Sequence, residues 1–215
     1  MAPLMSSNLK QTDFIGVWQR QSIAINGGEP FEDARVFWLQ TESYFADMRW
    51  PIAKSNDGEG AASAFAGRAE WRSPCMYFQH EIDLTKEFSE DIGQLSFKDS
   101  LLIEDGQVEV DGRSISFQEV WTPMSPSLNP ETCSTALYGF DPKPEIATGP
   151  AADKGIIVRV SDYLIAMEEI NSKISATLWH HAKGYWTTQY SLGQEQGHLL
   201  ESLLNETLPM PWVVL

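Results

Sequence analysis

His80 is the residue with the most obvious capacity for proton chemistry. It lies in Met76-Tyr77-Phe78-Gln79-His80-Glu81-Ile82-Asp83-Leu84, and no other histidine precedes residue 180. An imidazole can take a proton from a weakly acidic substrate, and a carboxylate such as Glu119 could hold its tautomer. A lone histidine among apolar residues can equally be a hydrogen-bonded core residue, and the stretch by itself leaves both readings open. Other chemistries find less support. Gly58–Gly67 has neither a dinucleotide nor a P-loop pattern, and no Gly-x-Ser-x-Gly elbow occurs. Glu168-Glu169 and His180-His181 are adjacent pairs, whose side chains point to opposite faces of a strand. His198 falls on a predicted helix. Two cysteines, Cys75 and Cys133, without a Cys-x-x-Cys or a His/Cys cluster, give no zinc pattern. No metal and no cofactor is expected.

The stretch around His80 reads as a strand, because aromatic and branched residues alternate with polar ones without a breaker. Met76, Phe78, His80, Ile82 and Leu84 share one parity, which is the inward one. The same reading applies elsewhere. Trp18, Arg20 and Ser22 share a face of a first strand, Phe14–Ile25. Val36, Trp38 and Gln40 share a face of a second, Ala34–Gln40. Phe45, Asp47 and Arg49 follow on Tyr44–Trp50, and Phe65, Gly67, Ala69 and Trp71 on 64–72. Phe117, Glu119 and Trp121 follow on Ser114–Thr122. Each of these five faces carries an aromatic, and four add a polar or charged group. Burying such groups unpaired costs several kcal/mol each, roughly. Either they pair with one another, Arg20 with Glu119 and Arg49 with Asp47, as a structural network, or they line a cavity and orient a ligand.

Asn26-Gly27-Gly28, Asp105-Gly106 and Asp111-Gly112 read as turns, and Lys54–Ser63 as a mobile loop. Pro123–Thr132 is the break between two parts. Ala136–Phe140, Gly155–Val160, Asp162–Ile170, Ile174–Ala182 and Gly184–Ser191 continue as strands. Gln194–Glu206 has helical periodicity through Leu199, Leu200, Leu203 and Leu204. Roughly a dozen short strands at hairpin spacing predict an all-β fold, a barrel or sandwich whose closure removes exposed edges. The predicted organisation is a flexible arm over 1–13, a β-barrel over 14–122, and a C-terminal β extension or second barrel half over 123–215.

The chain has 215 residues, 42% hydrophobic, with eight tryptophans and a formal net charge of −15. That acidity argues against nucleic acid and anionic membranes as partners. No apolar h-region opens the chain and no window reaches a membrane-spanning length, so a cytoplasmic location is expected.

The series GVWQR (16–20), VFWLQ (36–40), ADMRWP (46–51), AFAG (64–67), QHEID (79–83), DIGQ (91–94), EDG (104–106) and EVW (119–121) resembles a bacterial family of this length. That family has a lipocalin-like (calycin) barrel, is distantly similar to a fungal two-barrel protein, and includes cofactor-independent oxygenases of indole degradation. The resemblance covers about residues 14–122. It implies an oxygenase that acts on a 3-hydroxyindolin-2-one type of substrate, with molecular oxygen as co-substrate; a homodimer is a possible state of the chain. An electron-rich substrate, once deprotonated, reduces oxygen itself, so the protein supplies a base, a water-poor pocket and donors to the anion. On that reading His80 is the base, with Arg20 and Glu119 completing the catalytic set. Arg20, Gln40 and Arg49 steady negative charge, and Trp18, Trp38, Trp71 and Trp121 sandwich the ring. A non-catalytic lipocalin-like binder of a small hydrophobic molecule, or a barrel whose tryptophans are only core, are the alternatives.

Overall fold

The computed structural model describes residues 9–52, 62–85, 90–110, 112–124, 133–138, 153–193 and 213–214. A 3-10 turn, Gln11–Phe14, leads into eight strands. These are β1 (Gly16–Ile25), β2 (Ala34–Gln40), β3 (Tyr44–Pro51), β4 (Ser63–Arg72), β5 (Cys75–Asp83), β6 (Glu90–Lys98), β7 (Leu101–Val110) and β8 (Arg113–Pro123). Each pairs antiparallel with the next, and β8 returns to β1, closing an up-and-down barrel. The remaining strands are β9 (Cys133–Tyr138), β10 (Lys154–Val160), β11 (Tyr163–Ile170), β12 (Lys173–Ala182), β13 (Tyr185–Leu192) and β14 (Val213–Val214). They form a separate sheet in the order β13-β12-β11-β10-β9-β14. The all-β barrel with added C-terminal strands is thus the fold of the chain. The helix expected over Gln194–Glu206 lies outside the described residues, as does most of the Lys54–Ser63 loop.

Two cores explain the alternation along β1–β5. Even-numbered positions on β1 and β2 and odd-numbered positions on β3 and β4 fill the lumen, among them Trp18, Val36, Trp38, Phe45 and Ala69. The opposite parity, Val17, Leu39, Ala46, Met48, Ala64 and Ala66, packs against Ile156, Val158, Ile165, Met167, Ala176 and Leu178 of the second sheet. The sheet therefore covers the outside of the barrel along these strands. Rings continue the seam: Phe37 stacks on Trp50 at 5.7 Å and on Tyr163 at 5.8 Å, and Trp50 stacks on Tyr190 at 4.6 Å. Where the sheet covers them, β1–β5 are buried on both faces and carry apolar residues at both parities, whereas Arg68, Glu70, Arg72 and Gln79 beyond it are exposed.

Several expectations change. Asp105-Gly106 is not a turn but the middle of β7, paired with Gln118 and Phe117. Gly106 stands there because a Cβ would lie 2.2 Å from the Phe117 ring. Residues 9–12 are docked rather than loose: the Gln11 amide donates to Ala69 O at 2.7 Å and accepts from Trp71 N at 2.7 Å. Cys75 and Cys133 are both free thiols. Among the described residues no helix is long and apolar enough to cross a membrane.

Bulges shift two parity assignments. On β1, Arg20 pairs with Trp121 and Ser22 with the adjacent Val120, so Gln21 is an extra residue and Ser22 leaves the face of Trp18 and Arg20. On β5, Gly67 pairs with His80 and Ala66 with Ile82, so Glu81 is extra. Met76, Phe78 and His80 point into the lumen as expected, but Ile82 turns outward beneath the second sheet and Asp83 turns inward. An added residue on one strand reverses the faces beyond it. Gly67 permits the close approach, since a Cβ there would lie 1.9 Å from Gln79 O.

Candidate functional site

The lumen is layered. At one end Phe14, Trp18, Trp38, Phe45, Phe78, Leu95 and Trp121 are packed together. Trp38 meets Phe78 and Trp121 edge-on at 5.4 and 5.5 Å. The indole N–H groups of Trp18, Trp38, Trp71 and Trp121 are all taken up inside the protein. Trp18 donates to Phe14 O at 2.9 Å, Trp71 to Leu9 O at 2.9 Å, Trp38 to Gln40 Oε1 at 3.1 Å and Trp121 to Glu104 Oε2 at 3.0 Å. The Gln40 amide in turn donates to Thr41 O at 2.8 Å. Buried Trp needs such partners, and here it has them without a ligand. This layer is core. Trp38 and Trp121 border a void of about 20 Å³, and Trp18, Trp71 and Gln40 border neither that void nor the cavity described below. None of the four tryptophans, which the resemblance would have sandwich a ring, lines the cavity described below.

A layer of charge follows. Arg20 donates to Glu119 Oε1 at 2.6 Å through Nη1, and to Glu32 through Nε (3.1 Å) and Nη2 (2.9 Å). Arg49 donates to Asp47 through Nε at 2.7 Å and Nη2 at 3.3 Å, and its Nη1 lies 4.0 Å from Glu119. The pairs Arg20–Glu119 and Arg49–Asp47 are those the sequence suggested as a network. Burial would lower the Arg49 pKa, but Asp47 and Glu119 beside it carry it above the ordinary arginine value. Burial raises Glu119, against the pull of Arg49 and Arg20. Burial, together with Glu119 and Asp91, pushes Glu104 well above the usual carboxylate range. Glu32 lies outside any predicted strand, and nothing in the pattern pointed to it.

Beyond the charges opens a cavity of about 270 Å³, lined by Arg49, Phe65, His80, Asp83, Asp91, Phe117 and Glu119 together with Ile23, Ser63, Thr85 and Val108. His80 is held on both sides. Its ring stacks on Phe65 at 4.4 Å with 12° between planes, and Phe45 lies 5.8 Å away. Its Nδ1 lies 2.8 Å from Asp83 Oδ2. Asp83 also accepts from the Thr85 N–H and hydroxyl, each at 2.8 Å. Burial pushes the Asp83 carboxyl up, and the hydrogen bonds from His80 and Thr85 outweigh that and leave it below its usual value. An ionised Asp83 only accepts, so Nδ1 carries the proton and Nε2 keeps the lone pair in the neutral ring. Among the described residues Nε2 is the buried side-chain polar atom that has no hydrogen-bond partner.

Of the nine residues the sequence singled out, His80, Arg49 and Glu119 share this cavity. Arg20 stands behind it and holds Glu119. The partner that orients His80 is Asp83, not Glu119. Strict alternation hid Asp83, because it puts residues 80 and 83 on opposite faces. The one available signal was Gly67 opposite the stretch, a glycine inside a strand that marks a bulge or close backbone approach. A wider depression of about 800 Å³, lined by residues of the β1–β2 turn and of β5–β8 such as Gly28, Gln94, Gln107 and Gln118, has no histidine on its walls.

A family model described as Protein HRI1 matches residues 16–205. The crystal structure of the uncharacterized protein YLR301w from Saccharomyces cerevisiae is similar, with a TM-score of 0.63 at 17% identity, over 83% of this chain and 85% of that one. This agrees with the fungal likeness in the strand series, and at such identity it speaks for the fold alone. No curated protein matches the chain.

Proposed function

The chain belongs to the HRI1 family, and from the resemblance carried by its strand series, with which its cavity is compatible, we propose a cofactor-independent oxygenase acting on a small, planar, weakly acidic aromatic of the 3-hydroxyindolin-2-one type. The observation that carries the reading is the His80–Asp83 pair: a buried imidazole, fixed by an ionised carboxylate, whose Nε2 has no partner among the described residues. Such a nitrogen is a base waiting for a donor. Phe65 and Phe117 give the cavity flat apolar walls, and its volume of about 270 Å³ accommodates a bicyclic ring.

In the proposed reaction Nε2 takes the proton from the carbon that bears the hydroxyl. The imidazolium formed is stabilised by Asp83, and the enolate faces Arg49. The carbanion carbon then transfers electrons to O2 and forms a C–O bond, giving a peroxide. The peroxide attacks the neighbouring lactam carbonyl. The O–O bond and the ring C–C bond break together. One carbon becomes the carboxylate and the other leaves as CO2 from the ring nitrogen. One O2 in, with anthranilate, CO2 and the proton that His80 returns to solvent out, balances atoms and charge and needs no further reductant.

A non-catalytic binder is the second reading. It is favoured by the self-sufficient ion pairs of the lumen and by Nε2 being sealed from water. An oxygen electrode distinguishes the two. Chelator-treated protein with 3-hydroxyindolin-2-one should consume oxygen in proportion to protein added, and His80→Ala should abolish this. Ligand binding without oxygen uptake by the wild type would leave the binder.

A further inference from the structure

The walls of the cavity are unbalanced in charge. Six carboxylates stand in or immediately behind it: Glu32, Asp47, Asp83, Asp91, Glu104 and Glu119. Among the described residues they face two guanidiniums. Both guanidiniums are already occupied, Arg20 by Glu119 and Glu32, Arg49 by Asp47 and Glu119. Were Glu104 protonated and His80 charged, an excess of anions would remain. The open valence of the site is a lone pair, Nε2 of His80, which seeks a donor. Acceptor-rich walls suit a ligand that brings N–H or O–H groups. An anion entering here would meet Asp91 and Glu119 with no unclaimed cation among the wall residues.

We infer that the cavity selects by charge: it takes small uncharged rings bearing N–H or O–H donors and rejects their carboxylate counterparts. The inference rests on the same cavity as the proposed reaction but concerns binding alone. Its consequence for turnover follows from charge conservation. Proton transfer from a neutral substrate to His80 creates an ion pair and leaves the net charge of the cavity unchanged. Once His80 has given its proton to solvent, the carboxylate product is an added negative charge the walls cannot balance, so it leaves.

An isosteric pair tests the selection. 2-Aminobenzamide and 2-aminobenzoate differ by an amide against a carboxylate on the same ring. Calorimetric titration of the full chain at pH 8 should give a dissociation constant at least about tenfold lower for the amide. Asp91→Asn and, separately, Glu119→Gln should narrow the ratio by strengthening carboxylate binding, which guards against one variant failing to fold. Equal or tighter binding of the benzoate, or no heat from either compound at millimolar concentration, would overturn the inference. Selective amide binding without oxygen uptake would overturn only the oxygenase. Oxygen uptake with tight benzoate binding would overturn only the selection.

Discussion

Asp83 Oδ2 lies 2.8 Å from His80 Nδ1 although the two stand three positions apart on one strand. In a regular strand side chains three apart point to opposite faces. The extra residue Glu81 brings them to the same side, and a glycine opposite makes room. The candidate site is thus the product of one local irregularity in an otherwise regular barrel.

That pair sets the first prediction. His80→Ala should lower oxygen uptake on 3-hydroxyindolin-2-one by about a hundredfold or more, the usual contribution of a positioned base. Dissociation constants for uncharged ring analogues should change only a few-fold. Asp83→Asn keeps the shape but allows the wrong tautomer, and should lower kcat more than it raises KM. Wild-type turnover in His80→Ala would remove the base from the mechanism.

Gly67→Ala should destabilise the fold. Its Cβ would meet the Gln79 carbonyl oxygen at 1.9 Å and Glu81 N at 2.8 Å, both backbone atoms that cannot rotate away. A penalty of about 1–3 kcal/mol or more is expected for such overpacking. Thermal unfolding should show a melting temperature lower by several degrees. An unchanged melting point would mean the β4–β5 bulge relaxes freely.

Lys154 of β10 donates to the carbonyl of Glu81 and lies 3.5 Å from Glu169. The second sheet thereby grips the bulge residue itself. Lys154→Met should reduce kcat several-fold with little change in KM, because it loosens the dyad and not the ring-binding walls. Lys154→Arg should restore part of the loss. Equal loss in both variants, without a kcat effect, would assign Lys154 to stability alone.

Glu104 offers a test by pH. Its folded pKa is raised, first by burial and then by Glu119 and Asp91. A raised carboxylate favours folding while protonated, and that contribution is lost as pH rises through the folded pKa. Glu104→Gln still accepts from Trp121 Nε1 and carries no charge. It should melt higher than wild type at pH 8, with the gap closing as pH falls towards the ordinary carboxylate range. Asp83 runs the other way: its depressed pKa contributes stability above the unfolded value and loses it as pH falls through the folded one. A gap for Glu104→Gln that widens on acidification would contradict the assignment.

Much of this was legible in the alternation of residues. The lumen-facing sets on β2, β3, β4 and β8 follow strict parity, because no bulge interrupts those registers between the residues concerned. The ion pairs were legible too, since charges on an aromatic face need partners. What alternation cannot show is an inserted residue, so Ser22, Ile82 and Asp83 were each put on the wrong face. Nor does parity say which end of a lumen is packed and which is open. Trp18 and Phe45 share the parity of Arg49 and Phe65, yet the first two lie in core and the latter pair on the cavity wall. Partner strands also decide function: Phe37, Trp50, Tyr163 and Tyr190 stack at a seam that only tertiary packing creates.

Beyond Glu81 the same strand that carries His80 inside carries Ile82 outside, under the second sheet. β5 is in this sense a two-sided lever with its pivot at the bulge. A ligand that immobilises His80 and Asp83 also immobilises the backbone to which Lys154 holds. By thermodynamic reciprocity, tighter docking of the sheet must favour the ligand as much as the ligand favours docking. Slower amide exchange in β10 upon ligand binding would be the sign that the lumen and the seam under the second sheet answer to one strand.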